Sequence, residues 1–255
     1  MPEGDVVALT AQRLDAALAG RPLVRAELRW PGTGGAHLVG ATPEDVLAYG
    51  KHLLMRLDSG WTLRTHLRMD GSWYVARTGT HEAAGKGAFV RAVLANEQWT
   101  ATGHRLGMLD LVRTRDEHVI LGHLGPDILA ADWDPEQIVD RLVGTGAPLA
   151  EALLDQRAVA GIGTLYVAEG LFATRTNPWL PVAQLPRTAL LRLVTVIRGQ
   201  MLQAVTGGLG ARVVHMHNRA GQRCPRCRSV IVRELARQPP EQRPIFWCPT
   251  CQRAG

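Results

Sequence analysis

All four cysteines of the chain fall in two short pairs, Cys224-Pro225-Arg226-Cys227 and Cys248-Pro249-Thr250-Cys251, with twenty residues between them. Two C-x2-C turns at that spacing bring four thiolates to one point, the tetrahedral S4 set of a zinc ribbon. Paired disulfides are the other use of such a set, but nothing else in the chain marks an oxidising compartment. With Cys224, Cys227, Cys248 and Cys251 all bound, the one expected Zn ion keeps no open position, so it should hold the tail folded and take no part in catalysis.

The charge follows the same tail. Residues 211 to 255 carry nine Arg against Glu234 and Glu241, a formal +7, while the whole chain is +6, which leaves −1 for the rest. A Zn(Cys)4 centre adds about −2 and still leaves a cationic ribbon. A sequence pI near 9.7 favours a polyanionic partner, either nucleic acid or an acidic membrane surface. No apolar run reaches membrane-spanning length, and the first twenty residues alternate apolar and polar. The expectation is a monomeric, cytoplasmic, nucleoid-associated protein with no membrane partner. Of 29 basic residues only Lys51 and Lys86 are lysine. A compact ammonium where arginine is the habit singles out Lys51 as a point charge or proton donor.

At 255 residues and 46% hydrophobic, the chain is long enough for more than one module. The patterning predicts an α+β multidomain fold. Asp5 is read as the cap of a helix through about Leu18, with Val6, Val7, Leu14, Ala17 and Leu18 on one face. From Leu23 to about Arg115 the pattern is strand-like. Leu53, Met55 and Leu57 alternate with His52, Leu54 and Arg56 before an Asp58-Ser59-Gly60 turn, and further strands fall near 61–67, 73–76 and 89–95. This predicts an antiparallel sandwich over residues 1–125. After Pro126 the period becomes helical, with Asp134-Pro135 as a cap and first-turn proline, giving a helical domain over 126–210 that Gly207, Gly208 and Gly210 close. Residues 211–255 form the cysteine finger, with Pro239-Pro240 in its hairpin turn.

Pro2 follows an initiator Met1 of the kind that is removed, which would expose a secondary amine. Such an amine attacks an aldehydic sugar carbon to give an iminium ion, an electron sink from which a 3′ phosphate can leave. Glu3, one residue on, can protonate the ring oxygen of a deoxyribose.

Met-Pro-Glu-Gly, Tyr49-Gly50-Lys51-His52-Leu53, Asp155-Gln156-Arg157 through Gly161-Ile162-Gly163, and the four-cysteine ribbon occur in the order of the formamidopyrimidine-DNA glycosylase and endonuclease VIII family, which the chain resembles over nearly its whole length. The resemblance implies a bifunctional DNA glycosylase and apurinic-site lyase of base excision repair. Its expected fold is an N-terminal β-sandwich, a helix-two-turn-helix domain and a zinc finger, and its partner is damaged DNA, duplex or single-stranded. Pro2 would be the Schiff-base nucleophile and Glu3 the general acid, while Lys51, on the strand after the Tyr49-Gly50 turn, would contact phosphate or donate a proton near the lesion.

Further contacts are implied in the same way. Gly161 and Gly163 would aim amide groups at a phosphate, though an ordinary helix-helix turn reads similarly. Thr164 stands where the family has Asn, keeping a hydroxyl that can reach a phosphate oxygen. Arg243, five residues before Cys248, matches the arginine that bridges two phosphates, and Arg219 fits the lead-in to the finger. Base extrusion leaves a hole that side chains fill. Met69, in His66-Leu67-Arg68-Met69-Asp70-Gly71, is the candidate wedge, although an isolated Met is more often core. Arg105 and Leu106, in His104-Arg105-Leu106-Gly107, resemble its companion loop, with Leu106 in place of an aromatic.

The short run from Gly207 to Cys224 and the Pro-Glu-Gly start favour the endonuclease VIII branch, hence oxidised pyrimidines. Val6 departs from a glutamate usual near that position, with Asp5 one step earlier. The competing expectations are an oxidised-purine glycosylase and a catalytically inert protein that binds damaged DNA.

Overall fold

In the computed structural model, which describes residues 2–33 and 38–253, the chain forms two units, Met1–Gly122 and His123–Gly255. Met1, and with it the removal expected of it, lies outside the described residues.

The first unit begins with helix α1, Gly4–Leu18, whose N-cap is Glu3. The cap expected at Asp5 is therefore corrected by two positions: the extended backbone of Glu3 lets the helix start at Gly4, and Asp5 lies buried in the first turn with its Oδ1 accepting from the Val6 amide at 2.8 Å. A carboxylate there still complements the positive end of the helix dipole. Val7, Ala11, Leu14, Ala17 and Leu18 form the buried stripe, at the three- and four-residue steps of an amphipathic helix, and Val6 flanks it.

Strands follow as β1 (Arg25–Leu28), β2 (Pro43–Tyr49), β3 (His52–Leu57), β4 (Trp61–His66), β5 (Ser72–Arg77), β6 (Val90–Ala95), β7 (Trp99–His104) and β8 (Met108–Arg113). They make two four-stranded antiparallel sheets, in the orders β2-β3-β4-β8 and β1-β6-β7-β5. Leu53, Met55 and Leu63 from one sheet and Leu94 and Ala101 from the other share a core with Leu14 and Leu18 of α1. The alternation read along β3 holds only in part, because Leu54 and His52 on the opposite face are also buried. That outer face is not open to water: helix α2, Glu117–Leu121, lies on it. Arg56 holds both Glu117 carboxylate oxygens at 2.8 Å, and the buried Arg64 reaches the Ile120 carbonyl at 3.1 Å.

The second unit contains α3 (Pro135–Gly144), α4 (Leu149–Leu154), α5 (Thr164–Thr174), α6 (Arg187–Gly207) and an antiparallel hairpin of β9 (Val232–Ala236) with β10 (Arg243–Trp247). Asp134 caps α3 as read from the sequence, accepting from the Glu136 amide at 2.9 Å with Pro135 in the first turn. Helix α5, TLYVAEGLFAT, is apolar nearly all round because it is enclosed on several sides. Tyr166, Val167 and Leu171 face the helical core, while Ala168 and Phe172 pack with Met216, Ile231, Phe246 and the Cys224 and Cys248 sulfurs. The tail, read from the sequence as a separate part from residue 211, thus shares a core with α5 and stands inside the second unit.

Candidate active site and nucleic-acid interface

Glu3 is 1% exposed and is the N-cap residue of α1, where its side chain makes no capping hydrogen bond. Pro2, half-buried, precedes it. Gly50 and Lys51 are the two turn residues joining β2 to β3, across the Tyr49↔His52 pair. Lys51 therefore sits in the turn itself, one position before the strand expected to carry it.

The register of β3 on β4 sets His52 opposite His66, with ring centroids 4.8 Å apart. His66 Nδ1 accepts from the Arg68 amide at 2.8 Å, which fixes that nitrogen as an unprotonated acceptor. Burial, reinforced by the charges of Arg68, Lys51 and Arg64, holds the His66 imidazolium down at about 4. Lys51 thus acts electrostatically on a neutral His66, a pairing that no sequence pattern marks.

The turn after β4 and the turn after β7 are packed against each other. The Gly107 amide donates to the His66 carbonyl at 2.9 Å, and a Cβ on Gly107 would meet Arg68 Cγ at 2.0 Å. A Cβ on Gly71 would meet the Leu67 carbonyl at 2.4 Å and the Arg105 carbonyl at 3.0 Å, so both glycines are required by close approach. Met69 is 63% exposed at the tip of the first turn and is not core. Arg105 projects from the second. Leu106 is a correction: at 3% exposure it joins the sandwich core beside Trp73, so it anchors the loop instead of meeting DNA. A leucine at that place gains more from burial than from a wet surface.

In the second unit the Asp155-Gln156-Arg157 run secures the turn that follows it. Asp155 takes the Arg157 guanidinium at 2.8 Å, and the Gln156 amide donates to the Ile162 carbonyl at 3.0 Å and accepts from Gly161 at 3.1 Å. Gly161 has φ +103, whereas Gly163 is extended at φ −131 and serves as the N-cap of α5. The positive end of the α5 dipole therefore lies at Gly163 and Thr164, suited to an anion. Thr164 is 3% exposed, so its hydroxyl is not open for the phosphate contact expected of it.

The four cysteine sulfurs lie within 4.8 Å of one another. Cys227 and Cys248 are 3.4 Å apart and Cys224 and Cys251 3.9 Å, too far for disulfides and near the roughly 3.8 Å edge of a tetrahedron with Zn–S bonds of about 2.3 Å. Burial and the three neighbouring sulfurs push the Cys251 thiol up to about 12. Four sulfurs at that spacing form a donor set that could hold a tetrahedral metal ion. Arg219 is turned to Gln222 Oε1 at 2.8 Å, and Arg243 opens β10, exposed and resting on the Gln242 carbonyl at 2.9 Å.

Two groups escaped the sequence reading. Glu169, 2% exposed, accepts the amides of His215, Met216 and His217 at 2.8 to 2.9 Å and so fixes the segment that leads into the finger. Its signal was available: it is the one charged residue in an otherwise apolar helix, and a buried carboxylate needs partners. Phe89, exposed before β6, carries no periodicity that would single it out.

The formamidopyrimidine-DNA glycosylase N-terminal domain matches residues 1–125, and the formamidopyrimidine-DNA glycosylase H2TH domain matches residues 124–215. The chain is 43% identical to "Probable endonuclease 8 2" of Streptomyces coelicolor, over 99% of this chain and 94% of that protein. It is 35% identical to "DNA-(apurinic or apyrimidinic site) lyase Nei2" of Mycolicibacterium smegmatis, over the full length of both. Its fold is similar to the crystal structure of the MutM (Fpg) protein of Thermus thermophilus, with a TM-score of 0.83 at 29% identity over 98% of each chain.

Proposed function

The chain belongs to the formamidopyrimidine-DNA glycosylase and endonuclease VIII family, near its endonuclease VIII branch, and from that premise we propose that a mature form beginning at Pro2 excises oxidised pyrimidines and cleaves the sugar left behind. It is a DNA glycosylase and apurinic-site lyase of base excision repair. The observation that carries the mechanism is the buried Glu3 carboxylate, next in the chain to the amine of Pro2 and just ahead of the Gly4 start of α1.

The Pro2 nitrogen attacks C1′ of the damaged nucleotide, the glycosidic bond breaks with its electron pair on the base, and the base takes up the proton that the amine sheds. Glu3 gives its proton to O4′ as the ring opens, and the nitrogen lone pair forms the C1′ iminium. Loss of a C2′ proton then pushes electrons toward C3′, which expels the 3′ phosphate. A second elimination expels the 5′ phosphate, leaving a gap flanked by phosphates. Lys51, whose charge helps hold His66 neutral, serves a backbone phosphate or a proton transfer. Gly163 at the α5 terminus and the exposed Arg243 supply further phosphate contacts, and Cys224, Cys227, Cys248 and Cys251 hold one structural Zn ion.

The pyrimidine preference is supported by the segment between α6 and the finger. It is short, and Glu169 ties its residues 215 to 217 to α5, which leaves little slack for a loop that closes over a purine. An excision panel tests this with thymine glycol, 5-hydroxyuracil and 8-oxoguanine in duplex and single-stranded DNA. Faster release of the pyrimidines, abolished by Glu3→Gln with DNA binding retained, is expected. Preferential release of 8-oxoguanine would overturn the lesion assignment, and binding without release of any base would overturn the enzymatic mechanism.

A further inference from the structure

Two connections of the sandwich, β4–β5 and β5–β6, and strand β5 itself present exposed apolar side chains beside the turn after β7. Met69 is 63% exposed, Tyr74 60% and Phe89 53%. Single exposed hydrophobes are ordinary, but these are fixed by their neighbours. The Arg105 amide donates to the Phe89 carbonyl at 2.8 Å, and the Arg105 guanidinium lies 4.0 Å above the Phe89 ring. Tyr74 stands edge-on to His104 at 5.1 Å, and His104 is paired with both Ser72 and Val90. The packed turns described above set Met69 beside the same loop.

The backbone adds an independent mark. Arg68 and Arg105 have φ +53 and +47, conformations that side chains other than glycine rarely adopt, and both lie in this cluster. Such outliers persist where the surroundings hold them in place, and they gather at binding sites. The burial of Leu106 beneath the loop supplies that constraint and leaves Arg105 directed outward.

An arginine plane stacked on an exposed aromatic ring, with a second arginine nearby, matches the chemistry that holds nucleobases out of a helix. Bases stack on aromatic and guanidinium planes, and flanking arginines take the phosphates. We propose that the Phe89–Arg105 pair is a stacking platform for an unpaired nucleobase of a single or locally opened DNA strand, with Arg68 available for the adjoining phosphate. The platform supplies the flat apolar face that Leu106, sunk in the core, cannot. It rests on the glycosylase reading above and adds to it a preference for strands whose bases are already unstacked, since these arrive without the cost of opening a duplex.

The test uses the full zinc-loaded protein, wild type and Phe89→Leu, Phe89→Ala and Phe89→Trp. The probes are a single-stranded and a duplex oligonucleotide carrying a tetrahydrofuran abasic analogue flanked by 2-aminopurine. Phe89→Leu keeps an apolar side chain at an exposed position and should leave the melting temperature unchanged. It is expected to weaken single-strand binding on the order of tenfold and to lose quenching of the 2-aminopurine. The slope of binding against salt should stay the same, because no phosphate contact is removed. Phe89→Trp should restore both affinity and quenching, and the duplex should lose less than the single strand.

Equal binding and quenching by wild type and Phe89→Leu on both probes would overturn the platform. A salt slope reduced by about one would also overturn it, making Phe89 a support for an Arg105–phosphate contact. Borohydride trapping on a natural abasic site separates the two levels. Absence of an adduct with wild type counts against the glycosylase reading, whereas a normal adduct with unaltered Phe89→Leu binding counts against the platform alone.

Discussion

Arg226, inside the first cysteine pair, donates to the Phe172 carbonyl at the end of α5 and lays its guanidinium 3.9 Å over the Phe172 ring. This arginine is therefore committed to the fold and is not a free phosphate ligand. It also means that the finger and α5 are joined by a side chain whose position depends on the metal turn.

Chelation of the metal should accordingly be felt beyond the tail. Hydrogen exchange after zinc removal is expected to rise in residues 164–174 as well as 224–251, because Ala168 and Phe172 share a core with Ile231 and Phe246. Arg226→Ala should produce a milder form of the same pattern with zinc still bound. Exchange confined to the finger would contradict the shared core.

Glu169→Gln should destabilise the second unit by about 2 kcal/mol, measured by urea unfolding. Both carboxylate oxygens are in use, Oε2 by the His215 amide and Oε1 by those of Met216 and His217, and the glutamine amide would turn a donor toward a donor. Loss of DNA binding without loss of stability would assign Glu169 a different role.

The acid limb of stability should carry a signature of His66. Its folded value of about 4 lies below the usual 6.5, so between those values the unfolded chain takes up a proton that the folded chain refuses. Stability is full above pH 6.5 and falls as pH drops toward 4, by at most about 1.4 kcal/mol per pH unit. Glu117 acts in a lower window. Its hydrogen bonds from Arg56 hold it below the ordinary 4.5, so its contribution is present above 4.5 and fades as pH falls through its folded value. Urea unfolding from pH 7.5 to 5 should show a shallower slope for His66→Gln than for wild type, and an unchanged slope would contradict the neutral, buried imidazole.

Leu106→Ala separates core from wedge. A residue in the sandwich core should cost about 2 to 5 kcal/mol on truncation, which appears as a lowered melting temperature without DNA present. An unaltered melting temperature with weakened DNA binding would return Leu106 to the surface role read from the sequence.

What the sequence made legible was whatever rests on local chemistry. The cysteine spacing, the Asp134-Pro135 helix start and the Gly-Ile-Gly turn are short-range constraints, and each recurs in the structure. The fate of Leu106 was not legible, because whether a loop leucine points in or out depends on Gly103 and Trp73, which pairing brings beneath it. The outer face of β3 was misread for a like reason: its cover, α2, comes some sixty residues later, as the Arg56–Glu117 pair shows. Phe89 escaped altogether, since its meaning lies in Arg105, sixteen residues away and on another loop.

The proposed chemistry turns on a covalent bond between the N-terminal amine of Pro2 and the sugar. Borohydride reduction of the enzyme on abasic-site DNA, followed by digestion and mass spectrometry of the crosslinked peptide, reads the attachment atom directly. The crosslinked chain is expected to start at Pro2 and to carry the nucleotide remnant on its N-terminal peptide. A remnant attached to Lys51, or a retained Met1 on a fully active enzyme, would contradict it.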